Sequence, residues 1–209
     1  MSALSSRQVA IDKRRLEAVD ELWEAHLSLA PARALLSWLA VIKFEGAAEI
    51  TERNPDFRKI FETLGSNCDI KSLSTLGAQK TRPWVTPMAW ATYSASMTVA
   101  FHAAMRWQIL KGGYGKQDFA DYQAMNKLLK TVLPHQSIYI DEHGPSGYPY
   151  LVQELEDKLL RELQAMLAAT DIDRSNLEQA AEILKQSNQI LSQTASAQQG
   201  AEAGNPPAT

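Results

Sequence analysis

Residues 87–110, PMAWATYSASMTVAFHAAMRWQIL, decide the fold. The first 19 of them, through Met105, carry no formal charge and are crowded with Ala, Ser and Thr. Small side chains let neighbouring helices approach closely, so a helix of this composition belongs at the centre of a helical protein. Thr86-Pro87 starts it as a cap followed by a first-turn proline. Lys111-Gly112-Gly113 stops it, with the basic residue at the negative end of the helix dipole. A polar line, Ser94, Thr98, His102 and Arg106, runs through these apolar surroundings. Polar groups inside a core must be satisfied, so the line is either a buried network or a ligand site.

Working outward, the pattern is helical nearly everywhere. Residues 6–30 place Val9, Leu16, Val19, Leu22, Trp23, Leu27 and Ala30 at three- and four-residue spacing, with charges between them. Pro31 kinks that helix or begins a new one running to about Phe44, and Leu35, Leu36, Trp38, Leu39, Val41 and Ile42 surround most of it. A helix apolar on nearly all sides reads as buried. Asn54-Pro55 caps a short helix over 55–64 that Gly65 ends. Residues 65–85 read as a long connection, partly helical around 70–76.

Residues 116–133 predict an amphipathic helix through Phe119, Tyr122, Met125, Leu128, Leu129 and Val132, closed by Pro134. SIYIDEHGPSGYPY reads as a loop from its Gly and Pro density. A long helix from about 149 to 169 then pairs with one ending near Ala195, where Leu177, Leu184 and Leu191 recur every seven residues with a coiled-coil rhythm. The expected architecture is all-α: a single bundle of six or seven helices over residues 1–195, with core helices at 31–44 and 87–111. It carries a C-terminal amphipathic hairpin at 149–195 and a disordered tail at 196–209.

Composition bounds the function. With 209 residues, 45% of them hydrophobic, the chain can bury a sizeable core without disulfide or metal. A formal net charge of −3 argues against nucleic acid as a partner. The single cysteine, Cys68, permits no internal disulfide and fits a cytoplasmic location. The N-terminus lacks the apolar core of a signal peptide. Residues 27–44 and 87–110 approach membrane-span length. However, Arg33 and Lys43 interrupt the first, and Ser, Thr and His make the second weakly hydrophobic.

The candidate constellations are few. Four-residue steps drift about 40° per step around the helix axis, so Ser94, Thr98, His102 and Arg106 either line a ligand site between helices or dissolve into local bonds. In the second case Ser and Thr bond back to their own helix, His102 and Arg106 reach an edge, and Arg106 pairs with Glu17, Glu21, Glu24 or Glu45. His135, Asp141, Glu142 and His143 offer metal-ligand chemistry but match no zinc spacing, so no metal and no cofactor are expected. In that loop Asp141 or Glu142 is expected to tether a backbone amide or the Tyr148 hydroxyl. Arg7, Lys13, Arg14 and Arg15 make a basic patch diluted by Asp12 and Glu17. KGGYGK at 111–116 follows a helix rather than a strand, so it reads as a helix stop and not as a phosphate loop. No residue is a catalytic candidate. The leading expectation is a non-catalytic soluble helical protein acting in protein–protein interaction or regulation, self-associating or binding another protein through its C-terminal hairpin. The alternative is a ligand-binding protein or enzyme centred on His102 and Arg106, and a membrane-associated hairpin comes third.

Overall fold

The computed structural model describes residues 3–68, 76–117 and 120–168, and among these every regular element is helical. They are α1 (Ala3–Leu27), α2 (Ala30–Val41), α3 (Phe44–Arg53), α4 (Pro55–Leu64), α5 (Leu76–Thr81), α6 (Pro87–Gly112), α7 (Tyr122–Val132) and α8 (Ser137–His143). A last helix, α9, occupies residues 148–168. Internal contacts divide the chain into Met1–Met166 and Leu167–Thr209. Only residues 167 and 168 of the second unit are described, as the end of α9. The second helix of the expected hairpin, with its Leu177, Leu184 and Leu191 repeat, and the tail lie outside the described residues.

α6 is the central helix. α1, α2, α3, α4 and α7 all pack on it. Its alanines 89, 95, 100, 103 and 104 are buried on several sides, which brings those neighbours close. Both ends behave as their residues dictate. The Thr86 hydroxyl accepts the Ala89 N–H at 3.1 Å, Pro87 fills the first turn, and Gly113 takes the left-handed conformation at φ 66°. Trp107, 1% exposed, anchors the core against Phe61, and the cluster continues through Leu110, Leu129, Leu133, Ile140 and Leu155.

Four expectations need correction. The helix expected over 31–44 is not apolar-buried all round: Ala32, Leu35 and Leu36 face the core, while Trp38 is 46% and Val41 77% exposed. It also ends at Val41, where Ile42 turns extended, and Phe44 opens a separate helix that buries Ala47, Ala48 and Thr51. The helix expected from 116 starts at Tyr122, because the Asp121 side chain accepts the Ala124 N–H at 3.0 Å and caps it there. Phe119 lies outside the described residues. The SIYIDEH segment is helical rather than loop: Ser137 and Ile138 continue from a 3-10 turn at Pro134–Gln136, and Gly144, at φ 50°, ends it. These short helices raise the number above six or seven. In the long connection the helical turn is α5, while most of 70–76 lies outside the described residues.

Candidate functional site

The polar line divides as its chemistry requires. Ser94 donates to the Trp90 carbonyl at 2.8 Å and Thr98 to the Ser94 carbonyl at 2.7 Å, so both hydroxyls are spent on their own helix. His102, only 7% exposed, and the half-buried Arg106 turn instead toward α7. There one side chain bridges them. The Tyr122 hydroxyl lies 3.1 Å from His102 Nε2 and accepts from Arg106 Nη2 at 3.3 Å. With Arg106 donating to it, that hydroxyl has its own proton to give to Nε2. Tyr122 and Tyr148 present their rings edge-on to His102, with centroids at 5.5 and 5.6 Å. The Arg106 guanidinium lies 4.3 Å from the centre of the Phe44 ring, a cation–π contact. Among the described residues, Arg106 makes no ion pair with Glu17, Glu21, Glu24 or Glu45. Glu17 and Glu21 take Arg14 instead, at 2.9 and 3.6 Å.

Beside this network a cleft of ≈ 610 Å³ opens between α6 and α7. Its lining is apolar: Leu29, Met97, Phe101, Met105, Ile109, Ala120, Ala124, Met125 and Leu128. Thr98, His102, Arg106 and Asp121 supply the polar atoms, and Ser94 is not among them. The structure therefore brings three of the four expected residues to one cavity and leaves Ser94 out. It adds partners that the sequence did not single out. Tyr122 read only as part of an apolar stripe. Met97 and Met105 lie on α6 and Met125 on α7, and only their shared exposure to one cavity unites them.

A second polar cluster escaped the sequence reading altogether. His26, fully buried on α1, lies with Nε2 3.0 Å from Arg33 Nη1 and 3.4 Å from Glu156 Oε2, and Arg33 itself is ion-paired with Glu156. Trp23 stacks on the imidazole at 5.3 Å. Burial, and then the Arg33 charge, hold the imidazole pKa below its ordinary value despite the nearby Glu156. Burial pushes the Glu156 carboxyl up, but hydrogen bonding and charge from Arg33 outweigh it, and the net shift is downward. The signal was present in the spacing. His26 follows Val19 and Leu22 on the buried stripe of α1, where a polar residue needs a partner.

The remaining motifs resolve into local structure. His135 pairs with Glu154, Asp141 with Lys130, and His143 stacks on Tyr139 at 4.3 Å. Tyr148 donates to Asn126 at 2.7 Å, so neither Asp141 nor Glu142 tethers it. Among the described residues no group of three or more His, Cys, Asp or Glu side chains is placed to hold a metal ion. In the basic patch, Lys13 and Arg14 pair with Glu17 and Arg15 with Asp12. In KGGYGK, Gly113 and Gly115 take positive φ and Lys116 pairs with Glu49. Among the described residues no single helix is long and apolar enough to cross a membrane; only residues 6–53, bent by 98° at their break, pass on length and composition together. No family model, no curated protein and no solved structure matches the chain.

Proposed function

We propose that the chain is a ligand-binding helical protein whose α6–α7 cleft holds a small, uncharged, largely hydrocarbon molecule. The observation that carries this reading is the cleft itself, ≈ 610 Å³ and walled mainly by apolar side chains. Small-molecule sites typically measure about 300–1,000 Å³, with a few placed polar groups among hydrophobic ones. Of the polar side chains that line it, Thr98 bonds back to its own helix, Asp121 caps α7, and His102 and Arg106 bond to Tyr122, so they favour a ligand that makes few polar demands. Three methionines add a lining that reshapes readily around different apolar outlines. The reading is of a binder rather than an enzyme. A cytoplasmic location belongs to the same proposal and rests on the lone Cys68.

The test uses N-phenyl-1-naphthylamine, an uncharged apolar dye that fluoresces when shielded from water. Saturable binding to the native chain is expected. Ala124→Trp, which fills the cleft from α7, should weaken it about tenfold, or ~1.4 kcal/mol. Equal binding to both chains, with helicity unchanged by circular dichroism, contradicts the reading.

Association through the C-terminal hairpin is the second reading. Tyr150 and Leu160 favour it, standing 67% and 40% exposed on α9. Truncation after Ala169 should then change the oligomeric state or partner binding. Unchanged behaviour removes this role.

A further inference from the structure

The His26–Arg33–Glu156 cluster sits on the joint between α1 and α2, and that joint forms part of the cleft wall. Leu29, between the two helices, is 3% exposed and lines the cleft. Its backbone is tied to both partners of the cluster: its N–H donates to the His26 carbonyl at 3.1 Å, and its own carbonyl accepts from Arg33 N–H at 2.9 Å. α2 in turn packs on α6, which with α7 bounds the cleft. Two polar atoms of the cluster, His26 Nδ1 and Arg33 Nε, are buried without a hydrogen-bond partner among the described residues. The cluster is therefore complete only through the Nε2 and Nη1 contacts.

Those contacts have a defined proton dependence. A neutral imidazole accepts the Arg33 Nη1–H at Nε2 and carries its own hydrogen on Nδ1. A proton added to Nε2 turns that nitrogen into a donor, so two donors then face each other at 3.0 Å. Glu156 Oε2, 3.4 Å from Nε2, is the acceptor that His26 can take over. His26 is enclosed and stacked on Trp23, whereas the Arg33 side chain is 15% exposed, so Arg33 is the partner that yields. The charged groups facing His26 are Arg33 from α2 and Glu156 from α9.

We propose that His26, Arg33 and Glu156 form a proton-operated latch on the α1–α2 joint, and that acidification frees Leu29 and loosens the cleft's hold on its ligand. The ligand half of this inference rests on the cleft reading given above; the latch itself does not. Protonation moves Arg33 off His26, the first turn of α2 shifts with Arg33, and Leu29 leaves its place in the wall.

Two readouts separate the latch from the cleft. The first is dye affinity between pH 8 and pH 5.5, for the native chain and for His26→Gln, whose side-chain oxygen still accepts from Arg33 but does not titrate. The native chain should lose affinity about tenfold, the change that one pK unit of differential interaction produces, and His26→Gln less than about twofold. The second is nuclear magnetic resonance of the native chain, which needs no ligand and no variant. The Leu29 methyl signals should titrate with the same midpoint as the His26 ring, while helicity by circular dichroism stays constant. Failure of the dye to bind at pH 8 sinks the cleft reading, and the Leu29 titration then decides the latch alone. Leu29 signals unmoved by His26 protonation overturn the latch. So does a loss of helicity that coincides with dye release, because acid would then be unfolding the chain.

Discussion

Replacing Trp107 by Phe tests how the core is keyed to α4. Trp107 is 1% exposed, stands edge-on to Phe61 at 5.2 Å, and donates its Nε1–H to the Phe61 carbonyl at 2.9 Å. That carbonyl also accepts the Gly65 N–H at 3.0 Å, so it keeps one partner in the variant. Loss of the indole bond then costs about 1 kcal/mol. Exchanging indole for phenyl empties about 40 Å³, which at ~24 cal/mol per Å³ adds about 1 kcal/mol. The sum, about 2 kcal/mol, lowers Tm by roughly 4–8 °C in a chain of this size. Gly65 sharpens the test. A Cβ at that position would lie 2.0 Å from Trp107 Nε1 and 2.6 Å from Cδ1, and the ring is enclosed and cannot retreat cheaply. Gly65→Ala alone should cost about 1–3 kcal/mol. In the Trp107→Phe background the offending nitrogen is gone, and the cost should fall by about 1 kcal/mol or more. Urea unfolding of the four chains, followed by circular dichroism, measures each value. Additivity within about 0.5 kcal/mol would refute the keyed contact.

The other expectations are quickly checked. Trp38→Gln should cost less than about 1 kcal/mol by urea unfolding, whereas a Trp buried on all sides of α2 would cost about 3–5 kcal/mol. Asp121→Ala should lower stability by about 1 kcal/mol, because it removes the cap that starts α7 at Tyr122. Acid should destabilise the fold in two stages, visible in urea midpoints against pH. The folded pKa of His26 lies below 6.5, so the unfolded chain takes the proton first; this contribution is present above 6.5 and is lost as pH falls from there toward the folded value. The folded pKa of Glu156 lies below 4.5, so its contribution is present above 4.5 and fades as pH falls through the folded value. A midpoint flat from pH 8 to pH 5 would contradict the first stage.

How much was legible in the sequence depended on whether the signal was local. The all-α class and the limits of α6 were readable, because Thr86-Pro87 and Gly113 act on their own neighbours. The cap at Asn54 was readable for the same reason, and its side chain accepts the Asp56 and Phe57 N–H groups. The cap at Asp121 was missed because the apolar stripe around it ran on without interruption. α2 was over-read as buried, since apolar composition alone cannot say how many neighbours a helix meets. Gly65 was legible as a helix stop, but not as the seat of Trp107, a contact across 42 positions. Of the candidate site, Thr98, His102 and Arg106 were nameable from one helix. The Tyr122 bridge depended on how α7 docks against α6, and His26–Glu156 on a contact across 130 positions.

Methionine methyl signals offer the most direct measurement on the central claim, that the cleft between α6 and α7 holds an apolar ligand. The chain has six methionines. Met97, Met105 and Met125 line the cleft, whereas Met88 and Met166 do not and serve as internal controls. With ¹³C-methyl methionine and N-phenyl-1-naphthylamine as the titrant, the three cleft signals should shift together and saturate, with Met88 and Met166 unmoved. Saturation that leaves Met97, Met105 and Met125 in place, or moves all the methionines alike, would contradict the claim.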